Sequence, residues 1–317
     1  MIRYFIVLVM ALIAGASMAE VPPELRGQNI TVIVPYAAGG GSDVFSRMLA
    51  AKIKQQAGLN ILVVNRPGAL ATIGTREAAE AQPTGLTLLG SDNAPVVMNP
   101  LMKTTGWVPR ERFITVAVTV VTPQGIYVAQ DSKFNTLGDL LADIRRRPRD
   151  YTYGCAYPMC RLFIERIMAH NRTEVVGVSY KSTPQVQMDL STGQLQFIGI
   201  SSSDALPMTQ AGKIRPLAFS TERPVDLYPQ AGLFKDSVPE FTANNFHGVY
   251  APAGTPRHIV DYLNRVYRDA LRDPELQEQF RARAVHSWDG SPEQAERYID
   301  RQTAIWRPVV ERYYKPD

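Results

Sequence analysis

Residues 32–43 of the chain read Val-Ile-Val-Pro-Tyr-Ala-Ala-Gly-Gly-Gly-Ser-Asp. An apolar β-branched run stops at Pro35, glycines follow, and an amphipathic segment comes next. This pattern predicts a strand, a tight loop and a helix start. The first amides of a helix lack partners inside it, and the peptide dipoles concentrate positive charge there. Because glycines let a ligand approach that backbone, the stretch predicts a site for an anion such as a carboxylate or a phosphate.

The glycines match neither of the common nucleotide-binding motifs. A dinucleotide fingerprint needs a third glycine where Val44 stands, and a P-loop needs a lysine that does not follow these glycines. The stretch therefore indicates an anion site that is not a nucleotide site. The alternative is that the glycines only form a tight turn.

The first 19 residues have the pattern of a secretory signal peptide. Arg3 is the only charged side chain before Glu20, residues 4–16 are almost wholly apolar, and small residues lead to a cleavage point after Ala19. A membrane anchor is the alternative, but the apolar run is shorter than the ~20 residues that span a bilayer. We therefore expect residues 1–19 to be removed and the mature protein to be secreted.

Length and charge exclude some classes of protein. The formal net charge is +4 and falls by one, to +3, without Arg3, so the mature chain is only mildly basic. The densest basic patch, residues 145–149, closes a predicted helix where cations complement the dipole, so we expect no nucleic-acid partner. A chain of 317 residues exceeds a typical domain, and two domains are expected.

Two cysteines, Cys155 and Cys160, lie close together in the sequence. An oxidising compartment permits a disulfide between them. The alternative is two small apolar side chains in a loop and a helix start, and the spacing does not decide between the two. We expect no metal site here, because no histidine or second cysteine pair lies nearby.

Continuous apolar runs alternate with amphipathic segments along the first part of the chain. Predicted strands cover residues 30–34, 61–64 and 87–89. A helix covers residues 44–57, and Thr72 is predicted to cap the next helix. Continuous runs indicate strands that are buried on both faces, as in a parallel sheet covered by helices.

The same alternation returns in the second part. Further strands are predicted at residues 126–129, 151–154, 175–178, 197–200, 217–219 and 249–251, with a loop at 221–244. Helix starts are predicted at Thr136, at Thr255 with Pro256 in the first helical position, and at Ser291. Two such α/β units would face each other across a cleft that collects strand ends and helix N-termini.

Several short motifs together resemble one family. They are residues 33–43, Val-Asn-Arg-Pro-Gly-Ala at 64–69, Thr-Ile-Gly at 72–74, Pro-Thr-Gly-Leu-Thr-Leu-Leu at 83–89, Tyr-Lys at 180–181, Gly-Gln at 193–194, Ala-Gly-Lys-Ile-Arg at 211–215 and Ala-Pro-Ala-Gly-Thr-Pro at 251–256. Their order and spacing resemble the Bug-type receptors, the extracytoplasmic substrate-binding proteins of tripartite tricarboxylate transporters. The resemblance covers nearly the whole mature chain.

The resemblance implies a two-domain periplasmic-binding-protein fold of the type II kind, with a mostly parallel sheet flanked by helices in each domain. Domain 1 would comprise residues 20–124 and 246–317, domain 2 residues 125–245, and the ligand cleft would lie between them. Family members act without a cofactor, bind small carboxylates and deliver them to a membrane permease. We expect a monomer.

Carried over by position, the resemblance implies ligand contacts at Tyr36, Ala37, Ala38, Gly39, Gly40, Ser42, Asp43 and Thr72, and at Ser201 in the second domain. Asp43 has an alternative role as a helix cap or a partner of the helix dipole. The chain departs from the family where relatives often carry an acid at Ile200 and glycines at Leu70 and Ala71.

The second-domain loop departs further. Relatives often have a glycine-rich loop with a hydroxyl side chain and then a histidine, which align here with residues 155–158 and Arg161. Pro158 lacks both hydroxyl and amide hydrogen. We hypothesise that this side of the site consists of Tyr157, Pro158, Met159 and Arg161, with Tyr157 or Arg161 recognising the far end of the ligand. The alternative is that Arg161 is a solvated helix residue.

An enzyme is the competing class of protein. The Gly-x-Ser-x-Gly elbow of serine hydrolases is absent, and the four histidines are scattered. His247 is the exception of interest, because it lies near the second crossing between the domains. A receptor that signals through a membrane sensor is a further alternative, which the sequence does not separate from a transport receptor.

Overall fold

The computed structural model describes residues 20–102, 108–156, 158–239 and 244–314. The predicted signal peptide, residues 1–19, and Tyr157 lie outside the described residues.

Strands and helices alternate over most of the described chain. The strands are β1 (Asn29–Val34), β2 (Asn60–Asn65), β3 (Thr87–Asp92), β4 (Phe113–Thr122), β5 (Gln124–Ala129), β6 (Thr152–Cys155), β7 (Val176–Ser179), β8 (Phe197–Ser201), β9 (Ile214–Phe219), β10 (Gly232–Leu233), β11 (Asn245–Pro252) and β12 (His286–Ser287). The helices are α1 (Gly41–Ala57), α2 (Thr72–Ala79), α3 (Asn99–Leu101), α4 (Leu137–Arg146), α5 (Pro158–Asn171), α6 (Thr183–Ser191), α7 (Ser202–Gln210), α8 (Arg257–Leu271), α9 (Pro274–Arg281) and α10 (Pro292–Tyr313). Short 3₁₀ or π turns cover Pro23–Leu25, Ala94–Met98, Pro109–Arg112 and Phe234–Asp236.

The strands form two mixed sheets. The first has the order β12-β4-β11-β3-β1-β2, and β11 runs antiparallel to both of its neighbours. The second has the order β10-β9-β5-β8-β6-β7, and β5 runs antiparallel to both of its neighbours. The pairs β1–β2, β1–β3, β6–β7, β6–β8 and β9–β10 are parallel. The predicted α/β fold with two sheets flanked by helices is confirmed, and the sheets are mixed, because β12 also pairs antiparallel with β4.

Both crossings between the sheets use these antiparallel strands, and the first is short. β4 of the first sheet leads into β5 of the second through Pro123 alone. The carbonyl of Pro123 accepts a hydrogen bond from the amide of Ser202 (2.8 Å), which ties the crossing to the start of α7. β11 carries the chain back after Asn244. The exact domain bounds remain a prediction, because sheet membership does not assign the connecting segments.

Helix α10 joins the two lobes at the back of the molecule. It packs against β4 of the first sheet and α5 beside the second. Trp306, which is fully buried, shares one core cluster with Leu89 of β3 and Phe163 of α5. The lobes therefore rest on a common apolar core at this side and separate toward the opposite side.

Two strand predictions need correction. β2 was expected to be buried on both faces, but it is the outer strand of its sheet and Leu62 is 44% exposed. β4 is a strand that was not predicted, although it is buried along almost its whole length. Its threonines made the run look polar, whereas Thr115 and Thr119 are buried and pack as β-branched residues.

The predicted cap at Thr72 is wrong. Three residues in a row, Ala69 to Ala71, have positive φ angles of 46°, 51° and 70°. This left-handed run turns the chain so that Ala71 is the N-cap, and no side-chain hydrogen bond caps the helix. Thr72 is the first helical residue instead.

The other helix starts agree better with the sequence. Thr136 caps α4 in a capping box, as predicted. Ser291 caps α10 at the predicted helix start, and it also forms a capping box. Helix α8 begins one residue later than expected, with Pro256 as its N-cap. The Thr255 hydroxyl donates to the carbonyl of Pro252 (2.7 Å) and is therefore not available to cap the helix.

Candidate functional site

A cavity of about 430 Å³ lies between the lobes where strands of both sheets end. We call it the front cavity. Its lining residues are Tyr36, Ala37, Ala38, Gly40, Gly41, Ser42, Phe45, Asp92, Thr122, Ser201, Ser203, Asp204, Asn245, Phe246 and His247.

The glycine loop between β1 and α1 forms one wall. Gly39 has φ +87°, which favours glycine, and its amide donates to the carboxylate of Asp43 (2.9 Å). Gly40 is the N-cap of α1, and no side chain caps the helix. Within the described part of the chain, the amides of Ala37, Ala38 and Gly40 have no hydrogen-bond partner. Three residues whose amides have no described partner thus line the front cavity beside a helix N-terminus, where an anion binds favourably.

Asp43 supports this loop from behind. Its carboxylate also accepts hydrogen bonds from Arg47 Nε and Asn65 Nδ2, both at 3.0 Å. Burial alone would raise the pKa of Asp43, but the hydrogen bonds from Arg47, Gly39 and Asn65 lower it overall. Asp43 is not among the residues that line the front cavity. It fixes the loop as an ionised acceptor.

A second acid, Asp92, lies in the front cavity at the end of β3. Its Oδ1 accepts hydrogen bonds from the Tyr36 hydroxyl (2.6 Å) and the Ala94 amide (3.1 Å). Desolvation raises the pKa of Asp92 despite these bonds. The Tyr36–Asp92 contact also holds the first turn of the glycine loop against β3.

His247 on β11 closes the floor of the cavity. Its ring lies 2.8 Å from the Thr119 hydroxyl through Nδ1 and 3.3 Å from the Ser46 hydroxyl through Nε2. The residue is only 2% exposed, and burial lowers the pKa of His247 to about 3. The ring is therefore neutral at ordinary pH and adds no positive charge to the site.

The second lobe contributes the start of α7. Ser201 caps this helix by accepting a hydrogen bond from the Asp204 amide (3.1 Å), and its hydroxyl lies 3.2 Å from that of Ser203. Part of the Asp204 side chain is accessible to solvent in the cleft. The surrounding protein still removes much of the water around its carboxyl group, and this desolvation raises the pKa of Asp204. Hydroxyls and a carboxyl group from this lobe thus face the glycine loop of the other.

The predicted site residues do not all meet in this cavity. Those that line it are Tyr36, Ala37, Ala38, Gly40, Ser42 and Ser201. Gly39, Asp43, Thr72, Met159 and Arg161 are not among its described lining residues. Tyr157 lies outside the described residues, and Pro158 opens α5.

Arg161 lies on the exposed side of α5, near the hydroxyl of Tyr153 on β6. Just before it, the disulfide between Cys155 and Cys160 joins the end of β6 to the first turn of α5. Of the two alternatives that the sequence left open for Cys155 and Cys160, the structure has the disulfide.

Both acids of the cavity, Asp92 and Asp204, are absent from the predicted site. The available signals were an acidic residue three positions after the apolar run that ends at Leu89 and the Ser-x-x-Asp pattern at residues 201–204. Over the described residues, no group of histidine, cysteine and acidic side chains could hold a metal ion. Nor does any described helix have the length and apolarity to cross a membrane.

The comparison with known families now decides the class of the protein. The family model described as "Tripartite tricarboxylate transporter family receptor" matches residues 45–314. The chain belongs to this family. Proteins of the family are periplasmic solute-binding receptors, and the resemblance noted in the sequence is confirmed.

Individual receptors of the family are distant in sequence and similar over their whole length. The chain is 28% identical over 303 residues to a UPF0065 protein of Bordetella bronchiseptica, covering 95% of this chain and 90% of the relative. It is 27% identical over 286 residues to protein BugT of Bordetella pertussis, covering 89% and 88%. A solved R. palustris protein with adipate has a TM-score of 0.75 and 26% identity, covering 90% of this chain and 97% of that one.

Proposed function

We propose that this receptor binds a small carboxylate in the front cavity and delivers it to a membrane permease of the tripartite tricarboxylate type. The observation that carries the proposal is the glycine loop, in which Ala37, Ala38 and Gly40 line the cavity beside the N-terminus of α1 and their amides have no described partner. A carboxylate placed there gains charge-assisted hydrogen bonds and the favourable end of the helix dipole. The adipate of the R. palustris relative is a carboxylate of this kind.

The proposed contacts come from both lobes. Tyr36, Ala37, Ala38, Gly40 and Ser42 act from the first lobe, and Ser201 acts from the second. A ligand that touches both walls stabilises the closed arrangement over the open one, which is a shift between existing populations. The crossings at Pro123 and at Asn244 are the places about which the lobes rotate.

The proposal includes the protein's location and state. The signal peptide is cleaved after Ala19, and the mature receptor acts as a monomer in the periplasm, where the disulfide Cys155–Cys160 is stable. A monomer exposes the mouth of the cleft on both lobes, which is the surface that a permease recognises when the cleft is closed.

Thermal denaturation with added solutes tests the ligand class. Mass spectrometry of solutes that co-purify with the protein supplies the first candidates, followed by mono-, di- and tricarboxylates, amino acids and aromatic acids. A true ligand at 100 times its dissociation constant adds about 2.7 kcal/mol to the free energy of unfolding. If a neutral solute stabilises the protein and every carboxylate fails, the proposed ligand class is wrong.

A further inference from the structure

The front cavity has an uneven distribution of charge. Of its described lining residues, Asp92 and Asp204 are the acids, and none is a lysine or an arginine. His247 is neutral because of its burial. Among the described lining residues, an anionic ligand therefore meets two carboxyl groups and is compensated by uncharged donors, namely main-chain amides, hydroxyls and the side-chain amide of Asn245.

The two acids of the cavity differ from Asp43, which lies just behind the loop. Asp43 is neutralised by the guanidinium of Arg47 at 2.9 Å. In the described part of the chain, neither Asp92 nor Asp204 forms a salt bridge, and the hydrogen bonds to Asp92 come from an uncharged hydroxyl and an amide. The Oδ2 atom of Asp92 has no described partner. Both carboxyl groups have acceptor capacity left over for a ligand.

Donors and acceptors lie on different parts of the cavity wall. The open amides of the glycine loop are donors and suit a carboxylate. Asp92, the last residue of β3, and Asp204, in the first turn of α7, are acceptors and suit a hydrogen-bond donor. Because Asp204 belongs to the second lobe, a donor on the ligand that reaches it would connect the lobes.

We propose that the ligand is a carboxylate that also carries a hydrogen-bond donor, a protonated amine by preference and a hydroxyl next, and that Asp92 and Asp204 select it. This inference rests on the carboxylate-receptor function proposed above. It narrows that function, because a simple dicarboxylate such as adipate has no donor to offer once it is ionised.

The physical reason is the cost of closing the cleft on like charges. Closure removes water from the two carboxyl groups, and a buried charge without a partner is unfavourable. A ligand ammonium supplies the missing opposite charge and up to three donors. A second carboxylate at the same place adds repulsion instead, which lowers affinity and disfavours the wrong solute.

A matched ligand series tests the proposal on the mature, disulfide-bonded protein. Isothermal titration compares butyrate, 4-hydroxybutyrate, 4-aminobutyrate and succinate, which share one chain length and differ at the far end. The α-amino and α-hydroxy acids of the same length test a donor that lies next to the carboxylate instead of at the far end. We expect the best amino acid to bind at least tenfold more tightly than succinate and butyrate, with the hydroxy acid between them.

Charge-neutral variants then assign the selectivity to named residues. Asp204→Asn and Asp92→Asn keep the shape of each side chain, and each should reduce the preference for the amine over succinate about tenfold. Asp131→Asn, at an exposed site outside the cavity, should leave the preference unchanged. If succinate binds the parent protein as tightly as the amino acids, or the two variants keep the parent's preference, the selectivity proposal is overturned while the carboxylate receptor stands. If no carboxylate binds at all, both proposals fall.

Discussion

The neutral histidine in the cavity floor makes the stability of the protein depend on pH. His247 is buried between Thr119 and Ser46, and burial lowers its pKa from 6.5 to about 3. The unfolded chain takes up a proton on this ring below about pH 6.5, whereas the folded chain does not. The contribution of the neutral His247 ring to the free energy of unfolding is therefore fully present above about pH 6.5 and is lost as the pH falls toward 3.

The size of the effect follows from the difference between the two pKa values. Each pH unit below the unfolded pKa costs about 1.4 kcal/mol until the folded pKa is reached. Between pH 7 and pH 5, His247 alone should lower the free energy of unfolding by about 2 kcal/mol. Asp92 and Asp204 have raised pKa values and act in the opposite direction, since the folded protein binds their protons more readily.

Urea denaturation of the parent and of His247→Gln, each at pH 7 and pH 5, isolates this contribution. Comparing the two proteins cancels the contributions of the acids. The variant is less stable at neutral pH, because one of the hydroxyls of Thr119 and Ser46 loses its partner, but its stability should fall by about 2 kcal/mol less between the two pH values. An NMR titration should show no protonation of the His247 ring in this range. Equal losses in both proteins, or a ring that titrates near pH 6.5, would refute the reasoning.

Three further substitutions test the loop, the disulfide and the core. Gly40→Val should abolish the ligand-induced thermal shift by blocking the loop amides, while the fold survives. Gly40 has φ −73° and ψ 166°, and a Cβ there meets only the Ala37 carbonyl, at 3.7 Å; the weaker N-cap costs about 1 kcal/mol. Replacing Cys155 and Cys160 with serine should lower the urea midpoint by an amount equivalent to about 2 kcal/mol, and reduction of the parent should have a similar effect. Trp306→Ala should cost about 3–5 kcal/mol in urea denaturation, because the side chain is fully buried where the lobes meet, and a smaller loss would contradict a shared core.

The parts of the fold that were predictable are those that local sequence determines. β1 and α1 were found because a β-branched run, a proline and glycines act over neighbouring residues. The burial of β2 was misjudged because an apolar strand carries no signal of whether it lies at the edge or the centre of a sheet. The start of α2 was missed because the left-handed run at residues 69–71 lacks the glycines that would indicate it.

The candidate site shows the same difference between features that depend on local sequence and features that depend on the whole fold. The glycine loop uses main-chain groups, so its position could be read from the local pattern around Gly40. Asp92 and Asp204 are far apart in sequence, and only the pairing of the lobes brings them into one cavity. Asp204 also looks like an ordinary residue of a helix's first turn, because Ser201 caps that helix. The sequence offered no feature that separated this acid from many others at helix starts.

Neighbouring residues at the two crossings between the lobes line two different cavities. Thr122 and Asn245 line the front cavity, whereas their neighbours Val121 and Asn244 line a larger cavity of about 720 Å³ behind them. Because successive residues of an extended chain point to opposite sides, the two cavities lie on opposite faces of the hinge. The proposed closure of the front cavity would therefore widen the rear one, where Arg301 of α10 pairs with Glu222 after β9. An exposed ion pair would resist such a movement only weakly, so in the proposed mechanism this pair leaves a ligand in the front cavity free to shift the protein toward the closed form.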